Sequence, residues 1–262
     1  MQLSTVSAAT IAMWEEEAGP APIHGLGMEL VLGGKIDVHR HYRGQVMTAP
    51  SGVVTVKVGG RAYLVAGKKG VWIPEGIQHE VTASTDVKLR NLQIARQLAP
   101  ALPHSVSPIL VSPLFGELLS SAIEGNQWFG ANSREAKILD LLVLEFQLAN
   151  DLVFSFPEPR DLRLKKICAA LHKNPADQRS LTDWADIAGG CTRTLERLFR
   201  KETGLTFAQW RRQLRLHDSI VRLHSGQPVT SVAFDAGYEN TSSFIEMFRR
   251  LTGRTPGQFL DS

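Results

Sequence analysis

A twelve-residue pattern occurs twice near the end of the chain, at a separation of 49 residues. The two copies, FRKETGLTFAQW (199–210) and FRRLTGRTPGQF (248–259), are identical at six of the twelve positions. Agreement of this density predicts two copies of one helical unit, because a repeat of this period usually marks a recurring supersecondary motif. Residues 160–262 are therefore expected to be all-α.

A small residue and a glycine precede each copy at the spacing of a helix-turn-helix. Ala185 stands four residues before Gly189, and Ala233 stands four residues before Gly237. The small side chain lets two helices approach each other, and the glycine allows a left-handed turn between them. The predicted helix-turn-helix units lie at about 180–204 and at about 228–253.

The segment TFAQWRRQLRLHDSIVRLHSG between the two units predicts one long helix. Its apolar residues recur at helical spacing, and Gly226 is typical of a helix end. About 20 residues at ~1.5 Å each give a rod of roughly 30 Å, close to the ~34 Å of one turn of B-DNA. Such a rod would hold two reading helices in successive major grooves.

The second helix of each unit is the predicted reader of the DNA major groove. Arginine can donate two hydrogen bonds to guanine, and glutamate can accept one from cytosine. Candidate base-reading residues are Thr192, Arg193, Glu196 and Arg197 in the first unit, and Asn240, Thr241, Ser242, Ser243 and Glu246 in the second. Candidate phosphate-binding residues are Arg200, Lys201, Arg211, Arg212, Arg249 and Arg250. The alternative is a solvated basic helix without a nucleic-acid role.

Charge is divided unequally along the chain. Residues 1–159 carry 12 Lys and Arg against 15 Asp and Glu, whereas residues 160–262 carry 17 against 11. A basic C-terminal part beside an acidic N-terminal part indicates a polyanionic partner for one end, although plain solvated surfaces share this balance.

Residues 160–262 resemble the DNA-binding domain of the AraC/XylS family of bacterial transcription regulators. The resemblance covers both segments, SLTDWADIAGGCTRTLERLFRKETGLTFAQWRRQLRL and PVTSVAFDAGYENTSSFIEMFRRLTGRTPGQF. It implies base contacts from the helix that holds Arg193, Glu196 and Arg197. It also implies base contacts from the segment Glu239 to Glu246, and double-stranded DNA as the partner.

Residues at about 24–98 are predicted to form a small β-barrel or sandwich, because short runs rich in Val, Ile and Thr alternate with glycine turns. His39 and His41 lie two residues apart, so in a strand they share one face, with Asp37 alongside. Gln45 follows, and His79 comes after a Pro-x-Gly turn. These residues are the candidate metal or effector site.

The spacing of these residues resembles the two cupin motifs. The pattern reads Gly33-x5-His39-x-His41-x3-Gln45-x6-Gly52, then Pro74-x-Gly76-x2-His79. The resemblance implies a double-sheet barrel in which three histidines and a glutamate hold a divalent metal. Gln45 stands in the place of that glutamate, and a neutral amide is a poorer ligand than a carboxylate. Three imidazoles could still bind Zn, Ni, Fe or Mn.

Two other interpretations of these histidines stay open. In one, they form a hydrogen-bonded polar lining of the barrel. In the other, they contact an organic effector directly, with Trp72, Tyr42 and Tyr63 as further lining residues. The barrel resembles the cupin sensor arm of one AraC-family branch, which implies a regulator that senses a small molecule or metal ion. For relatives with this sensor, control of a neighbouring transporter or efflux gene is common.

Residues at about 108–154 are predicted to be helical, with Ser133 as an N-cap and a wide apolar stripe along 135–150. Such a stripe favours either packing on the barrel or a homodimer interface. The chain is thus predicted to be an α+β multidomain protein with three segments. These are a cupin-like effector domain (1–106), a helical dimerisation and linker segment (107–156) and an AraC-type DNA-binding domain (157–262).

The predicted function is a sequence-specific transcription regulator that is not an enzyme, with RNA polymerase as a further partner if it activates. One alternative is a cupin metalloenzyme of dioxygenase or isomerase type fused to a DNA-binding domain. Another is a DNA-binding protein with a purely structural barrel. The sequence has no apolar run of membrane-spanning length, no signal peptide and only two cysteines, Cys168 and Cys191. A cytoplasmic location is therefore expected, without membrane association.

Overall fold

The computed structural model describes residues 2–18, 22–125, 132–148 and 155–260. Within these ranges no helix is both long enough and apolar enough to cross a membrane. The chain divides into two compact units, of which the first comprises residues 1–59 and 63–155 and the second residues 60–62 and 156–262. The predicted α+β architecture is confirmed.

Short extended segments dominate the first unit. The strands are β1 (Gln2–Val6), β2 (Ile23–His39), β3 (Gly44–Ser51), β4 (Val53–Val58), β5 (Arg61–Ala66), β6 (Lys69–Ile73), β7 (His79–Ala83), β8 (Val87–Ile94), β9 (Ser107–Leu110), β10 (Gln147–Leu148) and β11 (Ser155–Pro157). Its helices are α1 (Ala8–Ala18), α2 (Pro113–Gly125) and α3 (Arg134–Leu144), with a 3₁₀ turn at Arg96–Leu98.

Seven strands close into a barrel. Their order is β6-β3-β8-β2-β7-β4-β5, and β5 returns to pair with β6 at Ala66 and Lys69. Strands β2, β3 and β8 pair over most of their lengths in antiparallel register. Alternating Val, Ile and Leu side chains on these strands fill the interior, because every second side chain of a strand points to the same face. Closure leaves the barrel without free edges.

Helices α2 and α3 cover one outer wall of the barrel. Phe115 and Leu119 of α2, together with Leu139 of α3, pack with Trp72 and Leu92 of the strands in one buried cluster. The Ser133 hydroxyl accepts a hydrogen bond from the backbone N–H of Ala136, as expected of an N-cap. These helices therefore belong to the first unit, as do the strands on either side of them.

The helix predicted to continue beyond residue 144 ends earlier than the sequence pattern indicates. Gln147 and Leu148 instead pair with Leu110 and Ile109, which adds β10 to β9 at the edge of the sheet. This part of the prediction was wrong because pairing with a strand distant in sequence outweighs local helix propensity. Residues 149–154 of the predicted segment lie outside the described residues.

The second unit is helical. Its helices are α4 (Leu162–Lys173), α5 (Leu181–Ala188), α6 (Thr192–Thr203), α7 (Phe207–His224), α8 (Val229–Asp235), α9 (Thr241–Thr252) and α10 (Pro256–Leu260). Helix α7 has 18 residues and lies in sequence between the pairs α5–α6 and α8–α9. Helices α4 to α7 share one hydrophobic core. Its fully buried side chains include Leu195, Phe199 and Trp210.

The repeated sequence ends one helix and begins the next. In the first copy the Thr203 hydroxyl donates to the Phe199 carbonyl at 2.6 Å, and in the second the Thr252 hydroxyl donates to the Phe248 carbonyl at 2.9 Å. The glycine that follows each threonine has a positive φ, 73° in one copy and 78° in the other. A left-handed glycine of this kind terminates a helix at little conformational cost.

The second threonine of each copy starts the next helix. The Thr206 hydroxyl accepts from the Gln209 backbone N–H at 3.2 Å, and the Gln209 side chain accepts from the Thr206 backbone N–H at 2.9 Å. Thr255 and Gln258 make the same reciprocal pair at 3.5 and 3.1 Å. This capping box satisfies backbone donors that a helix start otherwise leaves free.

Replacing Thr206 by alanine removes the cap at the start of α7. We expect the free energy of unfolding to fall by about 1 kcal/mol, because an N-cap side chain contributes about that much. Urea unfolding followed by circular dichroism measures the change. Thr206→Ser retains the hydroxyl group and should stay within a few tenths of a kcal/mol of the parent protein. An equal loss of unfolding free energy in Thr206→Ala and Thr206→Ser would contradict the assignment of Thr206 as an N-cap.

Candidate DNA interface and metal site

Two helix-turn-helix units occur at matching places in the second unit of the structure. Helices α5 and α6 meet at Gly189 with φ 82°, and α8 and α9 meet near Gly237 with φ 80°. Ala185 and Ala233 are buried at the contacts between the paired helices. The structure therefore presents α6 and α9 as equivalent second helices.

The first candidate reader, α6, has a charged outer face and an apolar inner one. Arg193, Glu196 and Arg197 are exposed, whereas Leu195 and Phe199 are fully buried. Thr192 is half-buried, and its hydroxyl lies 3.3 Å from that of Thr182. Three of the four side chains predicted to read bases in this unit are thus free to reach a groove.

The second candidate reader, α9, is polar but less basic. Exposed residues at its start are Glu239, Asn240, Ser242, Ser243 and Glu246, with Thr241 half-buried. The Asn240 side chain caps the helix, since its Oδ1 accepts from the Ser243 backbone N–H at 2.8 Å. One acceptor position of the Asn240 oxygen is therefore used by the helix start, and this constraint was not foreseen from the sequence.

Helix α7 joins the two helix-turn-helix units along the chain. Its 18 residues at ~1.5 Å each span about 27 Å, against about 34 Å between successive major grooves on one side of a duplex.

The six predicted phosphate contacts fall into two groups, four that are exposed and two, Arg211 and Arg212, that are half-buried on α7. Arg200, Lys201, Arg249 and Arg250 are exposed beside the readers. Arg211 is different, because its Nη1 donates to the Arg179 carbonyl at 2.8 Å and burial lowers the pKa of its guanidinium.

A cleft of about 350 Å³ lies between α7 and α9. Its walls include four arginines with one carboxylate, from Glu246, so its net charge is positive. The basic side chains are Arg211, Arg212, Arg215 and Arg250. Arg215 and Tyr238, which also line the cleft, were not among the candidates found from sequence. Their positions depend on how two helices pack rather than on any local pattern.

Three buried histidines meet inside the barrel. His39 pairs with His79 across β2 and β7, and His41 follows the end of β2. Ring centroids are 4.2 Å apart for His39 and His79, 4.8 Å for His39 and His41, and 5.3 Å for His41 and His79. One potential ligand atom from each lies within 4.8 Å of the others. No second cluster of three such residues occurs in the described ranges.

Backbone carbonyls fix the tautomers of two of these histidines. Nδ1 of His39 lies 2.6 Å from the Asp37 carbonyl, and Nδ1 of His79 lies 3.0 Å from the Ile77 carbonyl. A carbonyl can only accept, so the Nδ1 atom of each ring carries a proton. Burial, followed by the neighbouring His39, lowers the pKa of His79 to about 3, so its ring is neutral at pH 7.

Two glutamines complete the polar lining. Gln45 Nε2 donates to Asn91 Oδ1 at 3.1 Å, and Gln93 Nε2 lies 2.9 Å from His41 Nδ1. The oxygens of Gln45 and Gln93 and the Nε2 atom of His79 are buried without a hydrogen-bond partner in the structure. Buried polar atoms of this kind normally have a partner. The lining is therefore chemically suited to a bound ion or water.

The amide of Gln93 can also set the tautomer of His41. A half-turn of this amide places its oxygen against Nδ1 of His41. That nitrogen would then donate, which would satisfy the buried oxygen and place the lone pair of His41 on its Nε2 atom. All three imidazoles would then match the ligand geometry in which the second ring nitrogen donates to an oxygen.

The enclosed cavity beside His39, His41 and Gln45 measures about 20 Å³. That volume holds about one water molecule or one ion, which is too little for an organic molecule. Ile11 and Trp14 of α1 form part of its wall. The aromatic residues expected to line it do not: Tyr42 is exposed, and Trp72 and Tyr63 lie in the apolar cores.

The expected position of Asp37 was also wrong. Its side chain is exposed, because the pairing of β2 with β7 shifts register between Ile36 and His39 and breaks the simple alternation. Gln45, by contrast, is buried in the cavity wall. The cluster therefore contains three imidazoles and an amide, without a carboxylate from Asp37.

Comparison with known proteins agrees with this architecture. The profile of a family described as a helix-turn-helix domain matches residues 184–262. The HTH-type transcriptional regulator NimR of Escherichia coli is 30% identical over 223 residues, which are 85% of this chain and 81% of NimR. RipA of Corynebacterium glutamicum, also an HTH-type transcriptional regulator, is 38% identical over 43% of this chain and 34% of its own length.

Among solved structures, unsaturated fatty acid bound ToxT from Vibrio cholerae aligns over 91% of this chain and 94% of its own, at 11% identity and a TM-score of 0.38. The NimR match, which extends over both units of the structure, identifies the family. The chain belongs to the AraC/XylS family of DNA-binding transcriptional regulators.

Proposed function

We propose that this regulator reads two adjacent major-groove segments of an operator and that the histidine site in its barrel controls how tightly it does so. The observation that carries the proposal is the pair of equivalent readers on one connecting helix, in the same chain as a buried three-histidine cluster. The family consists of DNA-binding regulators rather than enzymes, which sets aside the metalloenzyme alternative.

The first reader contributes most of the base recognition in this proposal. Arg193 and Arg197 on α6 are exposed and can each fork onto a guanine, with Glu196 as an acceptor. The second reader offers hydroxyl, amide and carboxylate groups, which suit fewer or weaker base contacts. The exposed basic side chains beside both helices neutralise phosphates and fix the register of the protein on the duplex.

The barrel site suits one divalent metal ion, which would act as the signal or as a clamp for a small ligand. Nε2 of His39, His41 and His79 and the Gln45 oxygen are the atoms that would hold it. The hydrogen bonds of His39 and His79 to backbone carbonyls support this role, because they orient lone pairs inward. Imidazole ligands suit Zn, Ni and Fe, and Mn remains a further candidate.

A small organic effector is the second candidate signal. An open groove of about 480 Å³ is lined by Leu3 of β1, Trp14 of α1 and residues of β2 and β8. Trp14, Leu26 and Met28 line both this groove and the enclosed cavity. An effector in the groove would therefore press on the same wall that encloses the histidines, and Arg90 at its rim would favour an acidic group.

Helix α3 supports a homodimer. Ile138, Leu139 and Leu142 are buried against the barrel, whereas Leu141 and Leu144 of the same helix are 47% and 78% exposed. One side of the wide apolar stripe thus packs against the barrel, and another side is exposed to solvent. Two chains joined there would place four reader helices on the DNA.

The remaining finer roles extend this proposal. Relatives that include RhaR of Klebsiella pneumoniae are named as activators, and an activator here would have RNA polymerase as its partner. A neighbouring transporter or efflux gene is the proposed target.

Arg197→Ala should weaken operator binding by about 1–3 kcal/mol and relax specificity at one base, because a bidentate contact to guanine is lost. Binding to a family of single-base operator variants measures both effects. Arg200→Ala is the matched control. It should weaken binding to all sequences equally and reduce the salt slope by about 1. An unchanged operator affinity in Arg197→Ala would exclude this residue as a base reader.

The double variant His39→Ala/His41→Ala should lose a metal ion that the parent protein retains at near one ion per chain. Elemental analysis of protein purified without an affinity tag measures the content. His104→Ala, which changes an exposed histidine outside the cluster, should keep the metal. Equal metal content in the double variant and the parent would rule out the site. If the ion is the signal, removing it must change the affinity of the protein for the operator. By linkage, operator DNA must change the affinity of the protein for the ion by the same factor.

The double variant Leu141→Glu/Leu144→Glu should dissociate a dimer, because it places four charges in a paired apolar interface. Light scattering at micromolar concentration measures the mass. Asp140→Lys changes an exposed residue on the same helix and removes no apolar side chain, so it should leave the mass unchanged. A parent protein that is monomeric with and without DNA would refute dimerisation through α3.

A further inference from the structure

The two turn glycines, alike in sequence and backbone angle, differ in their surroundings. A Cβ atom added to Gly189 would meet nothing within 4 Å. A Cβ added to Gly237 would lie 2.9 Å from both Cα and the carbonyl oxygen of Ala176, and 3.0 Å from Nη2 of Arg215. The second turn is therefore pressed against the 174–178 loop, which joins α4 to α5 of the first helix-turn-helix. No corresponding approach occurs at the first turn.

Arg215 lies at the centre of this contact. It is the ninth residue of α7 and is only 8% exposed. Its Nε donates to the Pro175 carbonyl at 2.9 Å, and its Nη2 donates to the Asp177 carbonyl at 3.2 Å. On its other side the Tyr238 ring centre lies 5.7 Å from the guanidinium carbon. The Arg215 side chain thus joins the 174–178 loop, which precedes the first helix-turn-helix, to the 237–238 turn, which precedes the second reader, α9.

A direct hydrogen bond reinforces the same junction. Gln178 Nε2 donates to the Gly237 carbonyl at 2.6 Å. Loop 174–178 therefore holds the second turn both directly and through Arg215.

The connecting helix alone does not fix the angle between the readers. A glycine with positive φ flanks α7 on each side: Gly204 lies between the first reader, α6, and α7, and Gly226 lies between α7 and α8. Because glycine junctions restrict the backbone little, the rotation of each helix-turn-helix about the axis of α7 must be set by packing. The first helix-turn-helix packs in one cluster with Trp210 near the start of α7, whereas Arg222 near the end of α7 pairs with Asp235 of α8. Contacts that bridge both halves must therefore determine the angle.

We propose that Arg215 is a positioning residue that locks the second reader to the first by holding the 237–238 turn against the 174–178 loop. The guanidinium suits this task because its fixed fork can reach two carbonyls at once, which a lysine ammonium on a flexible stem cannot do with the same geometry. The consequence for DNA rests on the proposed function: a locked pair of readers requires one spacing between their two subsites.

The lock itself can be tested without DNA. Cys191 at the start of α6 is exposed, whereas Cys168 is buried, which raises the pKa of its thiol and protects it from labelling. A second label site is Ser242→Cys, exposed on α9. Pulsed electron–electron distance measurements between the two spin labels, in full-length protein diluted with unlabelled chains, report the distance between the readers.

We expect one narrow distance distribution in the parent protein and a width at least doubled in Arg215→Lys. Gly237→Ala should broaden the distance distribution as well. Gly189→Ala also places a Cβ at a positive φ but brings it near no other atom, so it should leave the width unchanged. Arg212→Lys is the matched control on α7 for this measurement without DNA and should resemble the parent. Thermal melting confirms that each variant is folded. Arg215→Lys with the parent's distribution overturns the proposal, even if Gly237→Ala fails to fold.

Operator spacing provides a second readout. The probe is a duplex that the purified parent protein selects from a random library, rebuilt with one base pair added or removed between the two subsites. One base pair rotates the second subsite by about 35°. The parent should lose affinity about tenfold or more, and Arg215→Lys about threefold or less. Equal weakening of Arg215→Lys at every spacing would identify a phosphate contact and overturn the lock. If the parent selects no sequence, the proposed function fails, and the distance measurement still decides the role of Arg215.

Discussion

The DNA-binding half of the protein depends on two threonine hydroxyls per repeat. The first, Thr203 or Thr252, bonds back to its own helix beside a left-handed glycine, and the second, Thr206 or Thr255, caps the helix that follows. Each copy thereby forces the chain to stop one helix and turn into another within about one helical turn. Every contact of a reader with its neighbours presupposes these turns.

Features encoded within a few residues could be predicted from sequence. The helix-turn-helix units follow from the repeat, and the nearness of His39 and His41 follows from their separation of two residues in the chain. Features that depend on distant partners could not. The shift in register that exposes Asp37, the strand pairing of Leu148 with Ile109, and the covering of the barrel cavity by Trp14 involve residues with no local signal.

Arg215 illustrates the same limit within the repeat. The sequence marks it as one of many basic residues on α7, and nothing in the spacing distinguishes it from Arg211 or Arg212. Its burial and its carbonyl partners come from a loop 40 residues earlier in the chain. The repeat therefore specifies two similar units, whereas single, unrepeated contacts determine how the units differ. The readers α6 and α9 differ in the same way, with guanidinium groups on one and mainly hydroxyls on the other.

Trp14 of α1 lines both the cavity beside the histidine cluster and the open groove, and Ile11 of the same helix lines the cavity. If the proposed signal binds in this cavity of about 20 Å³, its exchange with solvent would depend on how readily part of the wall opens. The lifetime of the bound signal would then depend on the free energy of opening α1 as well as on the ligand bonds. Such a sensor would retain a memory of its last exposure, with a duration that substitutions in α1 could shorten without touching a histidine.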